Sequence, residues 1–201
     1  LVAQADGSND YQEVVNIFLR NIAFVIIISL LLILLQSHIF QISLSVFELS
    51  SDTKRYFKDY FNLRIYSTFG ELTIFVITGL FIGLQKTKIS SLIVGFYSIA
   101  NIILSLVFVL YFNLNVLGVA LGTLVASTLT TIIFIFYTFY HLSKMTKLQL
   151  NTRKIFNFSK VKNIFNINLN IFIRSILLSF SFLYFTYLGT SISEEPVAAN
   201  V

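Results

Sequence analysis

The sequence predicts an all-α membrane protein, a polytopic bundle of about five transmembrane helices. Of its 201 residues, 56% are hydrophobic and only 11% are charged, which is too little charge to cover the surface of a water-soluble domain of this size. The apolar residues also gather into long runs, each close to the roughly 20 residues that a helix needs to cross the hydrocarbon core. Both observations argue against a soluble enzyme.

Four of these runs are the predicted helices of one unit, at residues 21–40, 65–84, 89–112 and 116–140. The second run carries a single charge, Glu71, and the third and fourth carry none. A fifth run, at residues 164–188, carries only Arg174. Lipid requires each backbone N–H and C=O to be satisfied within its own segment, and these runs are apolar on every side. They are therefore predicted as helices rather than as strands of a barrel.

The basic residues are distributed unevenly between the two sides of this bundle. One side has nine: Arg20, Lys86, Lys88, Lys144, Lys147, Arg153, Lys154, Lys160 and Lys162. The other side has three, offset by three acidic residues: Lys54, Arg55 and Lys58 against Glu48, Asp52 and Asp59. Because Lys and Arg accumulate in cytoplasmic loops, the N-terminal segment and the basic linker at 141–163 are predicted to be cytoplasmic. The net charge of +5 is thus a topology signal, and we expect membrane lipid and no nucleic acid as a partner.

Two charged side chains within the runs are candidates for a functional role. A charge in the hydrocarbon region is costly, so Glu71 is expected to face the bundle interior or water. Its structural alternative is a pair with Arg64 or a position near the interface. For Arg174, a structural pairing with helix carbonyls or a carboxylate is favoured over a substrate contact.

Two glycine pairs at i, i+4 spacing predict close helix packing. They are Gly79 with Gly83 in the second run, and Gly118 with Gly122 in the fourth. A helix face without Cβ atoms allows another helix to approach closely, and packing within one bundle is favoured over dimerisation. Hydroxyl side chains are frequent in the fourth run, where they either bond to the i−4 carbonyl or line a polar cavity.

No enzymatic chemistry, metal site or cofactor is expected. The chain has no Cys, and its two His, His38 and His141, do not have the spacing of zinc ligands. It contains no nucleophile with a general base, no P-loop and no dinucleotide-binding fingerprint. The residues alone leave a transporter, a channel and a membrane scaffold open.

Several motifs follow one another along the chain. They are Leu1-Val-Ala-Gln-Ala-Asp-Gly-Ser-Asn-Asp-Tyr11, Gly79-Leu-Phe-Ile-Gly-Leu-Gln-Lys-Thr-Lys88, Asn101-Ile-Ile, Leu117-Gly-Val-Ala-Leu-Gly-Thr123, Asn168-Leu-Asn-Ile-Phe-Ile-Arg-Ser175, and Leu188-Gly189 with Ala198-Ala-Asn200. In this order they resemble the MATE (multidrug and toxic compound extrusion) family, in its DinF-like branch. The resemblance covers the whole chain and is more specific than any single motif.

The resemblance implies a MATE/MOP-type fold, of which this chain is a fragment covering about helices three to seven of twelve. Residues 1–140 would form part of the N-terminal lobe, residues 141–163 the linker between lobes, and residues 164–201 the start of the C-terminal lobe. The absence of an initiator Met and the apolar ending agree with this expectation. The remainder of the same transporter is then an expected partner.

For function, the resemblance implies a secondary antiporter of the bacterial inner membrane. Such proteins export cationic or amphipathic small molecules in exchange for H⁺ or Na⁺ by alternating access, and the family's coupling carboxylate lies on a first helix outside this chain. Asn101 and Thr123 match the family's supporting groups. Ser105 replaces the usual Asp and cannot carry charge, so Na⁺ binding in this lobe is expected to be weakened and Glu71 to restore part of the lost negative charge. Phe69 replaces a Pro common in the fourth helix, which would remove an expected kink.

Two alternatives stay open from the sequence. A lipid-linked oligosaccharide flippase of the same superfamily would share the two-lobed helical fold, with a cavity richer in Arg and Lys. A non-transporting scaffold or channel subunit would explain the glycine pairs without the match at Asn101 and Thr123.

Overall fold

The computed structural model describes residues 1–46, 51–147, 155 and 157–192. In these residues the α-helices are α1 (Val2–Gly7), α2 (Tyr11–Leu34), α3 (Gln36–Val46), α4 (Ser51–Arg64), α5 (Thr68–Gly83), α6 (Thr87–Leu106), α7 (Asn115–Met145) and α8 (Phe158–Ile192). A 3₁₀ turn at Ile65–Ser67 joins α4 to α5, and a π-helical turn at Val107–Tyr111 follows α6. The described residues include no strand, so the predicted all-α class is confirmed.

Five helical stretches of the described residues are long and apolar enough to cross a membrane. They are Tyr11–Leu34, Thr53–Gly83, Thr87–Tyr111, Asn115–Met145 and Phe158–Phe182. Their mean hydropathy ranges from 1.4 to 2.7. The protein is therefore an integral membrane protein, and the predicted polytopic helical bundle is confirmed.

The helices extend beyond the apolar runs that predicted them. The helix α2 begins at Tyr11 rather than at residue 21, because the Asp10 side chain caps it by accepting a hydrogen bond of 3.0 Å from the Glu13 amide. The predicted run 21–40 is divided between α2 and α3, which meet at Leu35. Hydropathy detects only the part of a helix that lies in hydrocarbon, whereas the polar turns continue the helix beyond it.

The chain forms two compact units, Leu1–Asn151 and Thr152–Val201, which divide within the predicted linker 141–163. The first unit contains α1 to α7 and the second contains α8. Several residues used in the sequence analysis lie outside the described residues: Glu48, Arg153, Lys154 and the Ala198-Ala-Asn200 motif. The division into transporter lobes stays a prediction.

The apolar core of the first unit lies among α2, α5, α6 and α7. Its centre contains Phe18, Ile77, Phe81 and Ile93, each at most 1% exposed. Phe18 also packs edge to face on Phe139, with ring centroids 5.8 Å apart. Large apolar side chains elsewhere on the same helices are exposed, which is the pattern expected of a bundle surrounded by lipid.

Two of the glycines let α7 approach α6 closely. A Cβ at Gly122 would lie 2.7 Å from the Cα of Ser105, and one at Gly118 would lie 2.9 Å from the backbone carbonyl carbon of Phe108. Gly83 lies against Val2 of α1 in a similar way, whereas a Cβ at Gly79 would meet no atom within 4 Å. The glycines at positions 118 and 122 therefore allow a backbone contact between helices that a larger residue would prevent.

This difference predicts the effect of the same substitution at two glycines. In the full-length protein that contains this sequence, Gly122→Ala should destabilise the fold by about 1–3 kcal/mol, because the added methyl group overlaps the backbone of α6. Gly79→Ala should be neutral or slightly stabilising, since alanine is the better helix former and the site is open. The melting temperature of each variant in detergent, read from the fraction of protein that stays monodisperse on heating, measures both effects. Equal melting temperatures for the two variants would contradict the packing role of Gly122.

Candidate functional site

Glu71, in the first turn of α5, forms an ion pair within the second membrane-spanning stretch. Arg64 Nη1 lies 2.5 Å from Glu71 Oε1, and the Tyr97 hydroxyl of α6 donates to the same oxygen at 2.8 Å. The Glu71 side chain is 21% exposed and that of Arg64 is 34% exposed. Of the roles considered for Glu71, the pairing with Arg64 is the one that the structure displays. Its negative charge is therefore compensated inside the first unit.

The 3₁₀ turn between α4 and α5 brings the two charges together. Arg64 is the last residue of α4 and Glu71 lies seven positions later, about two helical turns along the chain. Ser67, in the turn, donates to the Arg64 carbonyl at 2.7 Å and also contacts the Arg64 guanidinium. A carboxylate in the first turn of a helix is further stabilised by the helix dipole. Local geometry thus determines the partner of Glu71.

Asn101, Ser105 and Thr123 come together where α6 meets α7. Ser105 Oγ donates to Asn101 Oδ1 at 3.0 Å, and Thr123 Oγ1 lies 3.3 Å from the same oxygen. Thr123 Oγ1 is also 3.1 Å from the carbonyl oxygen of Val119, so its single proton is shared between two acceptors. Thr123 is only 5% exposed. Three neutral side-chain oxygens therefore converge inside the membrane-spanning region.

Tyr97 connects this group to the ion pair. It lies one turn before Asn101 on the same helix, α6, and its hydroxyl bonds to Glu71. We call the resulting series the polar chain, formed by Arg64, Glu71, Tyr97, Asn101, Ser105 and Thr123. The sequence analysis missed Tyr97, although its spacing offered a signal: positions 97, 101 and 105 lie on one face of a helix.

A second contact fixes the start of α5 against α7. The Thr131 hydroxyl donates to the Gly70 carbonyl oxygen at 3.0 Å, and a Cβ at Gly70 would lie 2.9 Å from the Ser127 Cβ. Other hydroxyls of α7 bond within their own helix, as Thr130 does to the Ala126 carbonyl at 2.7 Å. The hydroxyl-rich face of α7 therefore forms hydrogen bonds within its own helix and also contacts the start of α5, the helix that carries Glu71.

Arg174 and Arg20 are not members of the polar chain. Arg174 belongs to α8 in the second unit, and its side chain is exposed. Arg20, which was counted with the loop charges, lies within α2, is 2% exposed and pairs with Glu13 at 2.9 Å. The early start of α2 explains this difference, because the helix places Arg20 two turns after Glu13.

The polar chain combines a carboxylate paired with a guanidinium, a phenol, an amide and two hydroxyls. Such oxygens are the ligands that hard cations prefer, but the hydroxyls and the amide bring no charge. In the part of the chain that the structure describes, no group of three or more His, Asp or Glu is placed to bind a metal ion. The arrangement thus offers neutral oxygens beside one carboxylate that is already paired with Arg64.

Comparison with known proteins gives two matches. The model of the MatE family matches residues 1–107, which include α1 to α6. The DNA damage-inducible protein F of Escherichia coli (strain K12) is 25% identical over the whole of this chain. The chain spans 43% of the length of that relative. No solved structure matches the chain.

The ion pair predicts a non-additive effect of two substitutions. Arg64→Met leaves the Glu71 carboxylate without its charged partner and should destabilise the full-length protein by about 1–3 kcal/mol. The double variant Arg64→Met/Glu71→Gln should recover most of that loss, because no uncompensated charge remains. The melting temperatures of the two single variants and the double variant in detergent give the coupling free energy between the two side chains. Strictly additive losses would show that the two side chains do not stabilise each other.

Proposed function

The chain belongs to the MatE family, and we propose that it is part of a secondary antiporter that exports cationic or amphipathic compounds in exchange for H⁺ or Na⁺. Transport would proceed by alternating access between two lobes rather than by an enzymatic reaction. We place the protein in the bacterial inner membrane, with the N-terminal segment and the linker 141–163 on the cytoplasmic side. Once Arg20 is assigned to α2, the predicted loops hold eight basic residues against three, which supports this orientation.

One observation carries the proposal: the Asn101 carboxamide oxygen lies within hydrogen-bond distance of hydroxyls from two helices, Ser105 of α6 and Thr123 of α7. An oxygen with such neighbours faces a polar site within the bundle rather than lipid. Asn101 and Thr123 also match supporting groups of the resembled family, and Ser105 replaces a third. A scaffold would use such oxygens only to bond helices together, whereas a cation pathway would also use them as ligands.

Charge compensation gives this site a mechanism. A carboxylate in a low-dielectric region must be neutralised by a proton, a metal ion or a cationic compound, and competition for it couples their movements. In the structure Arg64 already neutralises Glu71. We propose that Arg64 acts as a tethered counter-ion, which a proton or a cation on Glu71 displaces during the transport cycle.

Uptake by vesicles tests the proposal against its alternatives. The full-length protein is reconstituted into proteoliposomes with a fluorescent organic cation, and a Na⁺ or H⁺ gradient is imposed. An antiporter couples cation movement to one of these gradients. A flippase of the same superfamily would move a lipid-linked oligosaccharide without this coupling, and a scaffold or channel subunit would show no gradient-driven accumulation.

Removing the Glu71 charge should weaken the coupling. We expect Glu71→Gln to lower ion-driven uptake by about tenfold, equivalent to about 1.4 kcal/mol, and to flatten its pH dependence. Asp6→Asn, which neutralises a carboxylate of α1 outside the polar chain, is the control and should retain most of the uptake. If Glu71→Gln left both the uptake rate and its pH dependence intact, Glu71 would have no part in coupling.

Substitutions at two threonines of α7 distinguish an effect on cation binding from an effect on helix stability. Thr123 and Thr128 each bond to the carbonyl four residues earlier, at 3.1 Å and 2.7 Å, but only Thr123 also approaches Asn101. Thr123→Ala should raise the half-saturating concentration of the driving cation by about three- to tenfold, since a ligand oxygen is lost. Thr128→Ala should stay close to the wild-type value. The dependence of uptake on cation concentration distinguishes them, and equal shifts would remove Thr123 from the site.

A further inference from the structure

A cavity of about 310 Å³ lies at the end of the first unit where the second and fourth membrane-spanning stretches begin. Arg55, Tyr56 and Asp59 of α4 line one side of it. Asn113 and Asn115, at the junction of α6 and α7, line the other side. None of these residues belongs to the polar chain, so the cavity is a separate feature of the unit. We call it the α4–α7 cavity.

Opposite charges face this cavity without forming an ion pair with each other. Arg55 and Asp59 are one helical turn apart, with about 6 Å expected between their Cβ atoms. In the described residues, ion pairs form between Arg20 and Glu13 and between Arg64 and Glu71, but not between Arg55 and Asp59. The cavity therefore offers a guanidinium, which suits a phosphate, beside a carboxylate, which suits an ammonium group.

The two asparagines extend this polar lining. Both adopt left-handed backbone conformations, with φ of 54° at Asn113 and 49° at Asn115. Asn tolerates this conformation better than most residues, and it lets two amides in three residues line the same cavity. A side-chain amide both donates and accepts hydrogen bonds, so it can contact either charge of a zwitterion.

Exposed aromatic side chains place the cavity at the level of the lipid headgroups. Tyr56 is 50% exposed, and Tyr111 and Phe112, directly before Asn113, are 80% and 56% exposed. Aromatic residues gather where the hydrocarbon core meets the headgroups. The spanning stretches Thr53–Gly83 and Asn115–Met145 both begin beside the cavity. A ligand there is therefore more readily a lipid headgroup than a free solute.

We propose that the α4–α7 cavity binds the phosphoethanolamine headgroup of a membrane phospholipid, with the phosphate at Arg55 and the ammonium group at Asp59. The asparagine amides complete the contacts to both groups. A headgroup with phosphate but no amine, such as phosphatidylglycerol, satisfies only Arg55. A fully methylated amine, as in phosphatidylcholine, cannot donate a hydrogen bond to Asp59. The site should therefore prefer phosphatidylethanolamine to both.

Native mass spectrometry of the full-length protein released from nanodiscs measures this preference. Nanodiscs with equal amounts of phosphatidylethanolamine, phosphatidylglycerol and phosphatidylcholine should leave mainly phosphatidylethanolamine bound. Arg55→Ala should lower retention of this lipid by about tenfold, because a charge-assisted contact is lost. Asp59→Asn keeps the shape of the side chain and should abolish the preference for phosphatidylethanolamine over phosphatidylglycerol, which tests the proposal even if Arg55→Ala does not fold.

Lys58→Ala is the matched control, because Lys58 is an exposed basic residue of α4 that does not line the cavity. It should retain the wild-type lipid preference. Equal retention in the Arg55 and Lys58 variants would overturn the proposal, as would a wild-type protein that shows no preference. Displacement of the lipid by millimolar free O-phosphoethanolamine would also overturn it, since the ligand would then be a soluble zwitterion.

Discussion

The close approach of α6 and α7 determines where polar groups can lie in the first unit. At Gly122 the two backbones come so near that even a Cβ would overlap Ser105. This distance brings Thr123 of one helix within 3.3 Å of Asn101 on the other. In hydrocarbon a polar side chain without a partner costs several kcal/mol, and this contact adds a partner between helices to the bonds that Ser105 and Thr123 also make within their own helices. The glycine thus permits the site as well as the packing.

The same constraint explains the arrangement of the charges. An isolated carboxylate inside a membrane helix would be expensive, and the structure places a guanidinium and a phenol on Glu71. Arg64 lies at the end of α4 and Tyr97 lies on α6. Both contact the same oxygen atom of Glu71, which belongs to α5. A group compensated from two sides is stable when the site is otherwise empty, and it changes partners only when another cation or a proton compensates it instead.

Much of the architecture could be predicted from the sequence because hydropathy acts over whole segments. The helical class and the membrane spans follow from apolar runs alone. Contacts that depend on three-dimensional distance could not be predicted in the same way. Gly79 and Gly122 have equivalent spacing in the sequence, but only Gly122 meets another backbone. The start of α2 depends on a single cap at Asp10, which a search for apolar runs does not detect. Tyr97 could have been found, since it shares a helix face with Asn101.

The balance of charge in the polar chain limits what it can do by itself. Glu71 and Arg64 sum to zero, and Asn101, Ser105 and Thr123 add only neutral oxygens. If a proton binds Glu71, the Arg64 charge loses its partner, and if a metal ion binds instead, two cations share one carboxylate. Either event is favourable only when Arg64 moves to water or to a second carboxylate. With Ser105 in place of an acid, that second carboxylate has to come from another helix, as the family resemblance implies. Coupling is therefore expected from the polar chain together with that helix, and not from the polar chain alone.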